Sequence, residues 1–147
     1  VLHARAGRWC MSWTVYLMRA AGFDSVRDIP EGWSPPPLGP RETVAARLRE
    51  LLPSLSFIRR SCATYRGEGF SLEFNLGEAE QTAGILLIVH GDGEEEVLDV
   101  IGQVAEGLEA RALASGLGDF MRFTKDADSG RLIWRDAPQP GEWVAPP

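Results

Sequence analysis

The stretch ILLIVHGDGEEEV, Ile85 to Val97, gathers most of the side chains in this chain that could do chemistry. His90 can take or give a proton near neutral pH. Gly91 and Gly93 would let another backbone or a ligand come close, and Asp92, Glu94, Glu95 and Glu96 supply carboxylates. A turn that leaves an apolar strand and enters a helix is also a place where ligand sites form. Against a phosphate or nucleotide, the stretch carries neither the G-x-x-x-x-G-K-[ST] loop nor the three-glycine dinucleotide fingerprint. Its glutamates already stand at the positive end of the helix dipole and would repel an anion. Asp92 is a ready N-cap. The turn therefore reads first as the start of a helix, with His90 as its best functional candidate.

Three other groups invite chemistry. RRSCATYR sets Arg59, Arg60 and Arg66 around Cys62. Neighbouring guanidinium groups lower a thiol pKa and would make Cys62 a nucleophile; an exposed strand with spaced arginines is the plainer alternative. DADSG resembles the opening of a calcium loop, but Gly130 is the fifth residue counted from Asp126 and the twelfth is Ala137. The calcium pattern wants glycine sixth and glutamate twelfth, so the segment reads as a hairpin turn. Trp33, in EGWSPPPLG, suits either partner recognition or the clamping of its own proline-rich loop. Cys10 and Cys62 lack metal-ligand spacing and read as free thiols of a reducing cytoplasm. No catalytic constellation, metal centre or cofactor is expected. The candidate binding residues are His90, Asp92, Trp33, Glu94 and Glu95.

The elements that would position these residues follow from hydrophobic period. In SWTVYLM, Trp13, Val15 and Leu17 share one face, which predicts a first strand. Residues 20–40 carry too many prolines and glycines for a regular element to persist. Pro40 is expected to open a helix that presents Val44, Leu48, Leu51 and Leu52 and stops at Pro53. In FSLEFNLG, Phe70, Leu72, Phe74 and Leu76 alternate with polar residues, as in a strand buried on one face. TAGILLIVH lacks alternation and is expected to be a central strand buried on both faces. EEEVLDVIGQVAEGLEARAL places Val97, Val100, Ile101, Val104 and Leu108 on one helical stripe, weakened by Gly102 and Gly107 at about 1 kcal/mol each. A short RALA segment follows, then DFMRFTK and RLIWR flank the DADSG turn. The order predicts an α+β fold: a two-layer sandwich with a largely antiparallel sheet of about five to seven strands and two main helices on one face.

With 147 residues the chain is long enough to bury about two-thirds of its unfolded surface as one domain. The expected boundaries are a disordered extension over 1–10, a single α+β domain over 11–136, and a proline-rich tail over 137–147. No apolar run approaches the ~18 residues of a membrane span. The net charge of −6 argues against general nucleic-acid binding, which needs a basic surface. It suits a basic protein partner. Arginine outnumbers lysine fourteen to one, a bias that a GC-rich genome would produce without any functional cause.

The order of motifs resembles a family of small bacterial proteins of unknown function. Its pattern starts MS-[WY], matched by Met11-Ser12-Trp13, and continues with a Pro-x-x-Trp-x-Pro-x-x-Leu-Gly loop, matched by IPEGWSPPPLG. A helix ending in Leu-Pro, then SLEFNLG, VHGDG and a RALD-type segment extend the match over roughly residues 11–121. Where that pattern has Arg and Asp, this chain has His90 and Ala114, a departure at any polar site those two positions share. The resemblance implies a role as an immunity-type or toxin-neighbourhood partner. The function expected is thus a non-enzymatic binding protein, an acidic immunity-like inhibitor of a basic partner. The alternative is a small-ligand domain or enzyme with its site near the His90 turn. Sequence alone leaves the oligomeric state open.

Overall fold

Alternation in β1 and β5 and a four-residue rhythm in the helices mark part of a chain that runs β1 (Ser12–Met18), β2 (Gly39–Pro40), α1 (Arg41–Leu51), β3 (Ser56–Arg59), β4 (Cys62–Arg66), β5 (Phe70–Asn75), β6 (Gln81–Thr82), β7 (Ile85–Gly91), α2 (Glu94–Leu108), β8 (Arg111–Ala114), β9 (Phe123–Lys125) and β10 (Leu132–Trp134). This computed structural model describes residues 12–20, 22, 23, 25–91, 94–114, 120, 121, 123–125 and 132–134. Residues 1–11, Asp92, the DADSG turn and the 137–147 tail lie outside the described residues.

Six strands form one sheet in the order β3-β4-β5-β7-β1-β8, and every neighbouring pair is antiparallel. The fold is α+β, as the pattern predicts. One face of the sheet carries Val15 and Leu17 of β1, Leu72 and Phe74 of β5, and Ile85, Leu87 and Val89 of β7. These side chains form a single core with Val44 and Leu48 of α1 and with Val97, Ile101, Val104 and Leu108 of α2. Both helices therefore lie on that side, and α2 packs against α1. Gly107 is part of the contact, because a Cβ there would come 2.5 Å from Leu51 Cδ2. Its cost in helix propensity lets α1 close on α2. Strands β9 and β10, on either side of the DADSG segment, pair antiparallel, and β10 lies against α2.

Three expectations are corrected and one strand was missed. Strand β7 is not buried on both faces: Leu86, Ile88 and His90 are only half-buried, because both helices cover the opposite side. Strand β3 was not legible in its sequence. Helix α2 stops at Leu108 rather than running through EARAL. There Glu109 takes the left-handed φ of 55° and the Ala110 N–H donates to the Ala105 carbonyl at 2.8 Å, a Schellman-type ending. Arg111–Ala114 then pairs with β1 as an edge strand. Pro40 precedes α1 rather than opening it, and the Arg41 N–H is satisfied by the Glu80 carbonyl at 2.7 Å.

The arginines have structural work that composition could not reveal. Helix α2 contains no basic residue, yet its terminal carbonyls need donors. Arg19 Nη2 donates to the Leu108 carbonyl at 3.1 Å and Arg47 Nε to that of Gly107 at 3.3 Å. Arg19 Nη1 also reaches the Pro37 carbonyl at 3.2 Å, tying the proline-rich loop to the end of α2. Arg41 binds the Glu78 carbonyl at 2.7 Å and Arg111 that of Phe23 at 2.8 Å. A planar guanidinium presents several donors at fixed angles, so one side chain can hold two carbonyls.

Candidate functional site

Strand β7 delivers His90 to the face of the sheet that is helix-free among the described residues. In register it stands between Ser12 of β1 and Ser71 of β5. Glu73, two residues along β5 on the same face, lies diagonally across, with Oε2 3.3 Å from His90 Nε2. The approach falls within ion-pair distance but outside hydrogen-bond geometry, and Nε2 itself is shielded from solvent. The two side chains are 36% and 54% exposed, so their attraction contributes at most about 1 kcal/mol. Sequence reasoning missed Glu73 as the neighbour of His90. Its outward position in FSLEFNLG was readable, but its register opposite β7 was not.

The glycine after His90 serves the scaffold. Gly91 has φ 93°, and a Cβ there would lie 2.4 Å from the Gly69 carbonyl oxygen and 3.1 Å from Phe70 Cα. The close backbone approach that the sequence suggested is thus made by the start of β5 rather than by a ligand. Asp92 falls outside the described residues, and the capping role expected of it with them. Glu94 and Glu95 open α2, and Glu96 beside them is exposed.

Trp33 sits elsewhere. Its ring meets Phe23 edge-on, 5.1 Å between centroids at 77°. The Phe23 carbonyl is held by Arg111, which pairs with Met18 at the far end of β1. His90 and Trp33 are therefore separated by the length of β1, about 20 Å at ~3.3 Å per residue. They cannot line one small site. Trp33 packs against Phe23 of its own loop.

Positions 90 and 114 are also kept apart. Ala114 is buried on the helix side, opposite Val15, whereas His90 occupies the other face. A polar pair at these two positions would not share one site.

The RRSCATYR segment forms the turn between β3 and β4 and the whole of β4. Arg59 Nη2 donates to Cys62 Sγ at 3.4 Å, and that contact raises the arginine's pKa. Ser61, 2% exposed, donates its hydroxyl to Glu78 Oε2 at 2.9 Å. Arg60 turns toward α1, where Nη2 and Nε reach Glu42 Oε2 at 3.0 and 3.3 Å. Those bonds hold the Glu42 carboxyl below its ordinary pKa. Of the three arginines expected around the thiol, only Arg59 is shown in contact with it. The arrangement closes a hairpin.

Among the described residues no group of three or more His, Cys, Asp or Glu side chains could hold a metal ion, and no helix is long and apolar enough to cross a membrane. No family model, curated protein or solved structure matches this chain.

Proposed function

We propose that this protein is a non-enzymatic binding protein that docks on a basic protein partner, in the manner of an immunity-type inhibitor. The observation that carries this is α2. Its sequence, EEEVLDVIGQVAEGL, has five acidic residues and no basic one, and Glu96, Glu106 and Glu109 just beyond it are exposed. Acidic side chains at a helix C-terminus oppose the dipole, and a left-handed φ at Glu109 would suit glycine better. Local stability favours other residues at both positions. A negative surface that raises the on-rate for a basic partner accounts for keeping them.

The test is charge reversal. Glu106→Lys with Glu109→Lys should raise stability slightly, by about 0.3–1 kcal/mol each, because lysine suits a helix C-terminus. The same change should weaken capture of basic proteins encoded beside this one by about tenfold or more, and salt should weaken the unaltered complex likewise. Calorimetric melting and pull-downs at low and high salt read the two quantities separately. Unchanged capture by the reversed protein, or no salt-sensitive partner at all, would sink the proposal.

The His90–Glu73 contact supports a second reading, a small-molecule or enzyme site on the helix-free face. A carboxylate beside an imidazole with Ser71 as cross-strand neighbour is the composition of a general-base set. In this structure no hydrogen bond joins Ser71 to the ring. Hydrolysis of p-nitrophenyl acetate that is lost in both Ser71→Ala and His90→Gln would favour it. Rates equal to buffer, or unaffected by both changes, would remove it.

A further inference from the structure

Strand β3 ends the six-stranded sheet on one side. At the opposite edge β8 is bridged by Met121, whose N–H donates to the Ala112 carbonyl at 2.7 Å. No described strand does the same for β3. The register slips between Phe57 and Arg59, so that Ile58 has no partner on β4. Ile58 is 72% exposed; among the described residues the one other exposed large hydrophobic is Val26 at 39%, on the 3₁₀ turn Val26–Asp28.

Two arginines stand near this edge, in a chain whose net charge is −6. Arg59 adjoins Ile58, and the Arg49 guanidinium lies 4.3 Å from the centroid of the Phe57 ring. Arg60 is matched by Glu42; Arg49 and Arg59 have no carboxylate within ion-pair distance among the described residues and feel Glu42 and Glu78 only from farther away. A short strand, a bulge and flanking arginines are devices that keep an edge from pairing at random. An exposed isoleucine in their midst works against that protection, since it offers apolar surface where an added strand would lie.

We propose that the outer edge of β3 docks an extended, acidic segment of a partner protein. Such a segment adds to the sheet through main-chain hydrogen bonds, covers Ile58 with an apolar side chain, and sets carboxylates against Arg49 and Arg59. A second copy fits less well, because two β3 strands paired about a two-fold axis would bring like charges face to face. This surface is separate from α2, and the proposal stands or falls independently of the basic partner.

The probe is a fluorescein-labelled peptide that alternates glutamate with valine, titrated with the full chain and followed by anisotropy. Two control peptides carry a central proline or replace each glutamate with lysine. Saturable binding of the glutamate peptide is expected, with both controls at least about tenfold weaker, the loss that a single strong contact represents. Ile58→Ser and Arg59→Gln should weaken it by a similar factor, while Val26→Ser leaves it unchanged. Ile58 is solvent-facing, so its variant should fold normally, which circular dichroism verifies. Absence of binding, equal binding by Ile58→Ser, or equal binding of the proline peptide would each overturn the proposal. So would a concentration-dependent dimer, seen by sedimentation and lost in Ile58→Ser, which would give the edge to a second copy.

Discussion

Gly91→Ala is expected to lower the unfolding free energy by about 3 kcal/mol, with no ligand or partner present. Two causes add. A left-handed backbone, here φ 93°, disfavours a residue with a Cβ by about 1–2 kcal/mol. The new methyl would also sit 2.4 Å from the Gly69 carbonyl oxygen, and relieving an overpacked contact costs about 1–3 kcal/mol. That oxygen belongs to backbone, so no side-chain rotation relieves it; the entry to β5 must shift. Gly77 provides the control, since its φ is 82° but nothing lies within 4 Å of its would-be Cβ. Gly77→Ala should show the conformational cost alone, about 1–2 kcal/mol. Denaturant midpoints of the two variants separate the terms, and equal losses would refute the close approach. A large loss at Gly91 accounts for this glycine of VHGDG by strand packing and leaves no need for a ligand beside it.

Phe74→Ala should have the largest effect, a loss of about 3–5 kcal/mol. The ring is 1% exposed and lies between the sheet and the helices, so its removal leaves a cavity that rigid strands cannot collapse to fill. Glu73→Ala, one residue away, should change stability by less than about 1 kcal/mol. Its side chain is 54% exposed on the other face, with His90 as neighbour. Urea unfolding of the two variants tests the facing of β5 directly. A costly Glu73→Ala beside a harmless Phe74→Ala would invert the sheet. At the level of function, that outcome would also establish that the helix-free face can be altered without unfolding the protein, which the tests on His90 and Ser71 require.

Legibility differed from element to element for physical reasons. FSLEFNLG declared its buried face because polar and apolar residues alternate with the period of a strand. The stripe Val97, Ile101, Val104 and Leu108 declared α2 in the same way. ILLIVHG did not, since apolar residues on both faces say nothing of which face a helix will cover; packing left Leu86 and Ile88 half-exposed. SFIR carries no alternation, and only its pairing with β4 makes it a strand. The end of α2 was misplaced because apolar residues continue through Ala110 and Ala112, of which Ala110 caps the helix and Ala112 belongs to the edge strand β8. Of the candidate site, His90 and the acidic run of α2 could be found in the sequence. Glu73 beside His90 and the bare basic edge at Ile58 could not.

What the sequence by itself determined is therefore local: the strand and helix periods, the turn residues, the acid-rich α2 and the overall acidity, each a property of neighbours along the chain. Tertiary structure alone decided which residues meet. The antiparallel register places Glu73 diagonally across from His90, and a slip of one residue would send one of them to the opposite face. Packing of both helices on one side left the His90 face free of them, and the length of β1 keeps Trp33 out of its reach. The same packing brought Arg19 and Arg47 to the carbonyls of a helix that has no basic residue of its own. Such contacts join residues as many as 89 positions apart, and no pattern of period two or four carries that information.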